Sequence, residues 1–427
     1  MRQILLSVAA LLLSYALLQL ANGLFTTLLG VRAKLEGFST ELVGLIGSGY
    51  FLGMMLGVQY GVRVLAAVGH IRAFAAFASV MSITPLINVL WVDPWVWFTT
   101  RLASGLCMAG MIMVAESWLN ERASNANRGQ LLALYMITNY SAVGLGQFLL
   151  PLADPNQFQL FNLASILFSL ALVPVLMTSA SAPQLAQPDR VRLRQLYRVS
   201  PLGFVGSMGA GLVNATFYGL GPVFAQGVGL SIAATSAFMA SVIMGGLLLQ
   251  WPVGRLSDRI DRRWVLGGVS LLTALAALGI LAALGYPRYW LYLAGVLYGG
   301  LTFTLYSLSA AHANDFADPE QRVQTSGGLL IAYGIGASSG PLLAGALMGR
   351  FGPSMLFLWG AAINTLLGLF ALYRMTRRPS RGRGRFVAVP AEQLTSKELY
   401  VAAREEPRQE ERAGQASSSR KTCSSDP

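Results

Sequence analysis

Charge is what this chain has little of. Only 12% of its 427 residues are Asp, Glu, Lys or Arg, while 54% are hydrophobic and the mean hydropathy is +0.54. A soluble domain carries about a quarter charged residues, so a water-surrounded fold of this length is excluded. Two cysteines rule out a disulfide framework, and two histidines beside them leave too few ligands for a metal centre. The sequence has no phosphate-cradling loop and no nucleophile arrangement, which excludes ATP-driven transport by this chain and implies no cofactor. A membrane-embedded enzyme would want a polar catalytic loop at the surface, and the loops between the apolar runs are too short to hold one. The net charge of +12 does not signal nucleic acid, because 12 of the 31 Lys and Arg residues lie beyond Leu372 in a polar tail.

What the chain has in abundance is uncharged length. A helix needs about 20 mostly apolar residues to cross the hydrocarbon core of a bilayer. Residues 3–31, 42–62, 73–92 and 129–153 contain no Asp, Glu, Lys or Arg, residues 94–115 contain only Arg101, and residues 155–188 are also uncharged. In the second half, residues 199–254 hold 56 uncharged residues, enough for two spans with a turn near Gln226–Gly229. Residues 264–287, 289–314, 323–349 and 351–373 complete the set. The pattern predicts an all-α integral membrane protein with 12 transmembrane helices in two pseudo-symmetric six-helix halves. The strands of a membrane barrel would be about half as long and would alternate apolar with polar. The first run is too long for the apolar core of a cleaved signal.

Basic residues set the expected orientation. With both termini in the cytoplasm, the outer loops hold Arg32, Lys34, Arg288 and Arg350, Arg101 sits in a span, and the other 26 Lys and Arg fall inside. The expected organisation is a first half at 1–181, a cytoplasmic linker at 182–200, a second half at 201–376 and a disordered cytoplasmic tail at 377–427, whose composition buries too little apolar surface to fold. Its Arg381–Arg385 run suits a stop-transfer anchor. Size and short loops suggest a bacterial inner-membrane protein. The expected partners are the lipid bilayer, a small solute and protons, with no nucleic acid, and the chain reads as a monomer.

The halves repeat. At an offset of 194, Asn120-Glu121 falls on Asn314-Asp315, Arg128 on Arg322, Gln130 on Gln324 and Gly146 on Gly340. At 193, Ser48 falls on Ser241, Gly53 on Gly246 and Gly61 on Gly254. Small residues there allow close helix packing, and parallel repeats are a transporter plan with a midplane site.

Past the eighth run comes Gly254-Arg-Leu-Ser-Asp258-Arg259-Ile-Asp261-Arg262-Arg263. It resembles the cytoplasmic loop signature of the major facilitator superfamily. The resemblance implies a cytoplasmic gate of Gly254, Asp258, Arg259, Arg262 and Arg263, with Asp258 capping a helix of the opposite half and the arginines suited to ion pairs across the interface between halves. Asp261 stands where that pattern has glycine. The first-half copy keeps Gly61, Gly69, His70 and Arg72 but has Leu65 and Ala66 in place of Asp-Arg, which puts the gate charge mainly in the second half. Arg101-Leu-Ala-Ser-Gly105 is similar to a fourth-span motif of the same superfamily, whose arginine lines the cavity and is tied to proton movement. Glu116-Ser-Trp-Leu-Asn-Glu121, Asn127-Arg128-Gly129, the 135–147 stretch and Gln250-Trp-Pro-Val-Gly254 resemble the YcaD-like subgroup of bacterial transporters over most of residues 1–375. Gly336-Ala-Ser-Ser-Gly340-Pro341 resembles an antiporter motif, displaced from the fifth span to the eleventh.

Arg101 and Glu116 are therefore the expected coupling residues. Fifteen residues apart on one helix, they stand about 22 Å from each other and cannot pair. The uncharged polar residues expected to line the cavity are Gln19, Asn22, Asn139, Gln147, Asn214, Tyr218 and Tyr306. Asn22 stands at the depth where related drug antiporters carry an acid. The resemblance implies a secondary active transporter working by alternating access, with proton-coupled export the expected direction, and the little charge in the spans points to a small neutral, amphipathic or zwitterionic solute. The alternatives are uptake of a small nutrient, or a sensor that binds without moving its ligand. His312 near the end of the tenth span is a further group of titratable type.

Overall fold

The computed structural model describes residues 2–123, 128–177, 193–318 and 321–377, with side chains from residue 9 onward. The first half contains α1 (Arg2–Leu35), α2 (Thr40–Val68), α3 (His70–Leu90), α4 (Pro94–Arg122), α5 (Arg128–Gln147), α6 (Gln159–Leu170) and α7 (Leu172–Leu176). The second contains α8 (Leu193–Val199), α9 (Pro201–Gly227), α10 (Ile232–Arg259), α11 (Arg262–Ala283), α12 (Arg288–Thr302), α13 (Thr304–Phe316), α14 (Arg322–Phe351) and α15 (Met355–Met375). Asn127, residues 178–192 of the sixth run and linker, and the tail from 378, with Arg381–Arg385 and Cys423, lie outside the described residues.

Short, chemically marked turns explain the boundaries. Ser39 caps α2, Asp93 caps α4 through the amides of Trp95 and Val96, Ser200 caps α9 and Ser231 caps α10. Gly229, at φ +80°, reverses the chain between α9 and α10 at the expected turn. Two spans are broken. Pro174 has no amide for the Leu170 carbonyl, and the ladder stops between α6 and α7. The α12–α13 break at Phe303 follows Gly299-Gly300, with the Thr304 hydroxyl donating to the Leu301 carbonyl at 2.7 Å.

Counting each broken span once, ten helices among the described residues are long and apolar enough to cross a membrane. The two expected spans that fall short are α5 and α9. The physical reason is their surroundings. Helix α5 carries Asn139 and Gln147, α9 is rich in glycine, and both pack against α1 and other helices, so they need less apolar surface than a lipid-facing helix. Where lipid is expected, apolar residues are exposed, including Leu275, Leu366 and Ile166. Exposed aromatics ring the two ends: Trp91, Trp95, Tyr286, Tyr289 and Trp290 at the end distal to the termini, and Trp251, Trp264 and Tyr373 at the proximal end.

The helix pairings repeat between halves. Helix α1 packs on α5 as α9 packs on α14, α2 on α4 as α10 on α12, and α3 on α6 as α11 on α15. The halves meet where α2 packs on α14 and, in the reciprocal position, α10 packs on α5, with α1 and α2 also against α9. Close backbone contacts obey the same symmetry. A Cβ on Gly105 would lie 1.9 Å from the Tyr50 carbonyl oxygen, and one on Gly299, 194 residues later, 1.8 Å from that of Val242. Gly146 and Gly340, also 194 apart, would each meet a carbonyl oxygen at 2.4 Å, of Leu20 and Leu212. Alanine at either member of the Gly105–Gly299 pair should therefore destabilise the detergent-solubilised protein by about 1–3 kcal/mol through overpacking. Gly268→Ala, in open space, should be neutral or mildly stabilising. Thermal unfolding midpoints of the three variants check this.

Candidate functional site

Helix α4 buries both charged residues that the sequence singles out. Glu116 is fully buried and accepts a hydrogen bond from Tyr135 on α5 at 3.1 Å. Tyr135 stacks on Tyr15 of α1 with ring centroids 4.5 Å apart. The Tyr15 hydroxyl donates to Asn139 Oδ1 at 2.7 Å, and Gln19 Nε2 donates to the same oxygen. Tyr306 of α13 lies within electrostatic reach of Glu116 from the second half and packs edge-on against Tyr333 at 5.1 Å. Glu116, Gln19, Asn139 and Tyr306 are thus gathered in one region.

Arg101 sits nearer the distal end of α4, with 4% of its surface exposed. Its guanidinium lies 4.4 Å from the Tyr50 ring centre and 5.6 Å from that of Phe25, so cation–π attraction partly replaces water. Nη2 reaches Thr26 Oγ1 at 3.4 Å, a long contact, while Nε and Nη1 have no hydrogen-bond partner.

The remaining expected lining residues divide. Asn214 Oδ1 accepts from Thr302 at 3.1 Å, and Tyr218 stacks on Phe303 at 5.4 Å, with Tyr140 of the first half on the same phenylalanine at 6.2 Å. Gln147 is placed differently. It accepts from Thr27 at 2.6 Å, donates to the Gly23 carbonyl at 3.0 Å, and its own carbonyl accepts from Ser236 of α10. It ties α1, α5 and α10 together.

The sequence profile of the Major Facilitator Superfamily matches residues 11–251 and 203–408. The chain belongs to this superfamily, whose members are secondary transporters. It is 29% identical to an uncharacterized MFS-type transporter of Yersinia enterocolitica over 388 residues, covering 90% of this chain and 98% of that one. It is also 29% identical to the uncharacterized MFS-type transporter YcaD of Escherichia coli over 374 residues, 87% and 97% of the two chains. Among solved structures, the nucleoside transporter NupG shares the fold at a TM-score of 0.71 and 15% identity, over 89% of this chain and 100% of that one. These matches bear out the superfamily and subgroup resemblance.

Around the superfamily loop signature, Arg262 and Arg263 make ion pairs within the second half. Buried Arg262 meets Asp258 at 2.9 Å and Asp315 of α13 at 3.4 Å. Arg263 meets Asp261 at 2.6 Å. Asp261, in the glycine position of the pattern, caps α11 through the Arg263 amide. The Arg263 side-chain hydrogen bond holds its carboxyl below the usual carboxylate range, so this contact stabilises at neutral pH and is lost only as pH falls through the depressed value. Arg259 is exposed and Gly254 is buried in α10. His312 is buried and packs on Phe316 at 5.0 Å.

Sequence reasoning missed four contributors to these sites: Tyr15, Tyr50 and Thr26 as partners, and Asp315 as the buried counter-ion of Arg262. Asp315 had a signal, since the repeat places it on Glu121. The first-half counterpart is present too. His70, first residue of α3 as Arg262 is of α11, is buried within electrostatic reach of Glu121. Asp315→Asn, which removes the buried one of the two carboxylates around Arg262, should cost about 1–3 kcal/mol. Asp258→Asn, at a carboxylate that is 34% exposed, should cost less than about 1 kcal/mol. Denaturation of the two variants in the same detergent compares them.

Proposed function

We propose that the chain is a proton-coupled exporter of a small amphipathic solute, working by alternating access as one half rocks against the other. It resides in the cytoplasmic membrane of a bacterium with both termini inside, a placement supported by the excess of Lys and Arg at the proximal end. The observation that carries the reading is the pair of opposite charges buried on α4 and kept apart. Glu116 reaches Tyr135, Tyr15, Asn139 and Gln19 through hydrogen bonds and one ring stack, and Arg101 meets the same helix, α1, two turns farther on. A buried carboxylate that takes up a proton loses its desolvation cost. A proton at Glu116 and a solute near Arg101 can therefore bias the two arrangements of the halves through α1. Coupling by Glu116 and Arg101, and gating by Gly254, Asp258, Arg259, Arg262 and Arg263, belong to this proposal.

The distal contacts named here close that side. A Cβ on Gly44 of α2 would lie 2.3 Å from the Pro341 carbonyl oxygen of α14, and one on Gly30 of α1 lies 3.1 Å from Pro222 of α9. Pro341 thus lies at the seam between halves, while Gly336 and Gly340 of the same run face α9 within the second half.

Internal pH in everted vesicles, challenged with antibiotics, dyes, sugars and amino acids, tests the coupling. Wild-type protein should give a compound-triggered proton leak and Glu116→Gln none; a variant leaking at the wild-type rate removes the coupling role. Counterflow in oriented vesicles separates export from uptake. Asp258→Asn should shift the balance of inward- and outward-open forms, read by cysteine accessibility; an unchanged balance rejects the gate.

A further inference from the structure

Helices α1 and α9 occupy equivalent places in the two halves and pack against each other. On α1, Asn22, Thr26 and Gly30 follow at intervals of four and share a face. On α9, Asn214, Tyr218 and Pro222 do the same, each 192 residues later. Gly30 touches Pro222, so the two stripes descend from one contact point, Thr26 level with Tyr218 and Asn22 level with Asn214. The asparagines are a pseudo-symmetric pair, both buried. Asn22 Oδ1 and Asn214 Nδ2 each lack a hydrogen-bond partner, although one could donate to the other. An acceptor and a donor are thus held apart at one level.

One turn above Asn22, Thr26 meets the Arg101 guanidinium, and Tyr50 beneath it lies one turn from Gly47, which adjoins Gly219 of α9. Arg101 therefore sits just proximal to the seam that closes the distal side. A buried guanidinium with open donors on Nε and Nη1 is an expensive arrangement in a membrane interior, and none of the ion pairs described above includes it.

We propose that Arg101 and the Asn22–Asn214 pair form one subsite for a small monocarboxylate. Its carboxylate accepts from the open Nη1 donor of Arg101, and a hydroxyl or amide about 6 Å away, one helical turn, bridges Asn22 Oδ1 and Asn214 Nδ2. The aromatic rings of Phe25, Tyr50 and Tyr218 flank the apolar body between them. A single cation fits one negative charge. This deepens the transport reading and rests on it for the solute's path, though not for its binding.

The test uses the full chain in lipid nanodiscs and thermal unfolding with 3-hydroxyphenylacetate as probe. Its methyl ester removes the charge, 3-hydroxyphenethylamine reverses it, and phenylacetate removes the donor. The acid should raise the midpoint of the wild-type protein, the ester and amine should not, and phenylacetate should bind more weakly. Arg101→Met should raise the ligand-free midpoint, because an uncompensated buried charge is removed. It should also weaken binding of the acid about tenfold or more. Asn214→Leu should reduce the acid's advantage over phenylacetate while leaving phenylacetate binding intact. No shift with the acid, an equal shift with the ester or amine, or undiminished acid binding by Arg101→Met overturns the subsite. The ester and amine comparisons need no variant and hold if Arg101→Met does not fold. Acid binding without any proton-driven movement would leave the subsite standing and the transport reading fallen; proton-driven export of amines without acid binding would do the reverse.

Discussion

The fold depends on backbone approaching backbone. Between helices in a bilayer there is no water to expel, so association rests on van der Waals contact and a few hydrogen bonds. Glycines make this contact possible: Gly105 and Gly299 lay α4 and α12 directly on α2 and α10, and Gly146 and Gly340 lay α5 and α14 on α1 and α9. Because the same contact recurs at one offset, the two halves share a frame. Residues at equivalent positions on α1 and α9 are then brought face to face at the junction between halves.

On that frame the buried charges divide into two kinds. Arg262 is matched by Asp315 and Asp258 at the proximal end of the second half. Arg101 and Glu116 have no such match in each other. One helix carries both, and its geometry keeps them about 22 Å apart. A charge buried in a membrane interior is costly to keep, which is why these two positions on α4 carry the coupling proposal, while Arg262 belongs to the proposed gate.

The halves are not copies at their proximal ends. Where the second half has Arg262 with Asp315, the first has His70 with Glu121, and where the second has Asp258 the first has Leu65. Charge at this end is therefore concentrated on α10, α11 and α13. If the halves rock about the seam between them, the second half presents an ion-paired edge and the first a more weakly charged one.

Much of this was legible in the chain. The uncharged runs, their turns, the repeat and the family signature all follow from local composition and spacing, because a membrane helix must satisfy its own backbone within its own segment. Glu116 and Arg101 stood out for the same reason: a charge inside an apolar run is visible without any fold. What the sequence could not decide was partnership. Gln147 and Asn139 are both polar residues on α5, yet one ties α1 to α5 and the other joins the hydrogen bonds around Glu116. The neighbouring arginines Arg262 and Arg263 look alike in the sequence, yet one is buried against Asp258 and Asp315 and the other meets Asp261. That the helices bearing Asn22 and Asn214 pack on each other is likewise seen only in the fold. Composition specifies which segments enter the membrane; only the tertiary structure sets which side chains meet, since contacts 120 or more residues apart depend on helix rotation and depth, and neither is written in any one span.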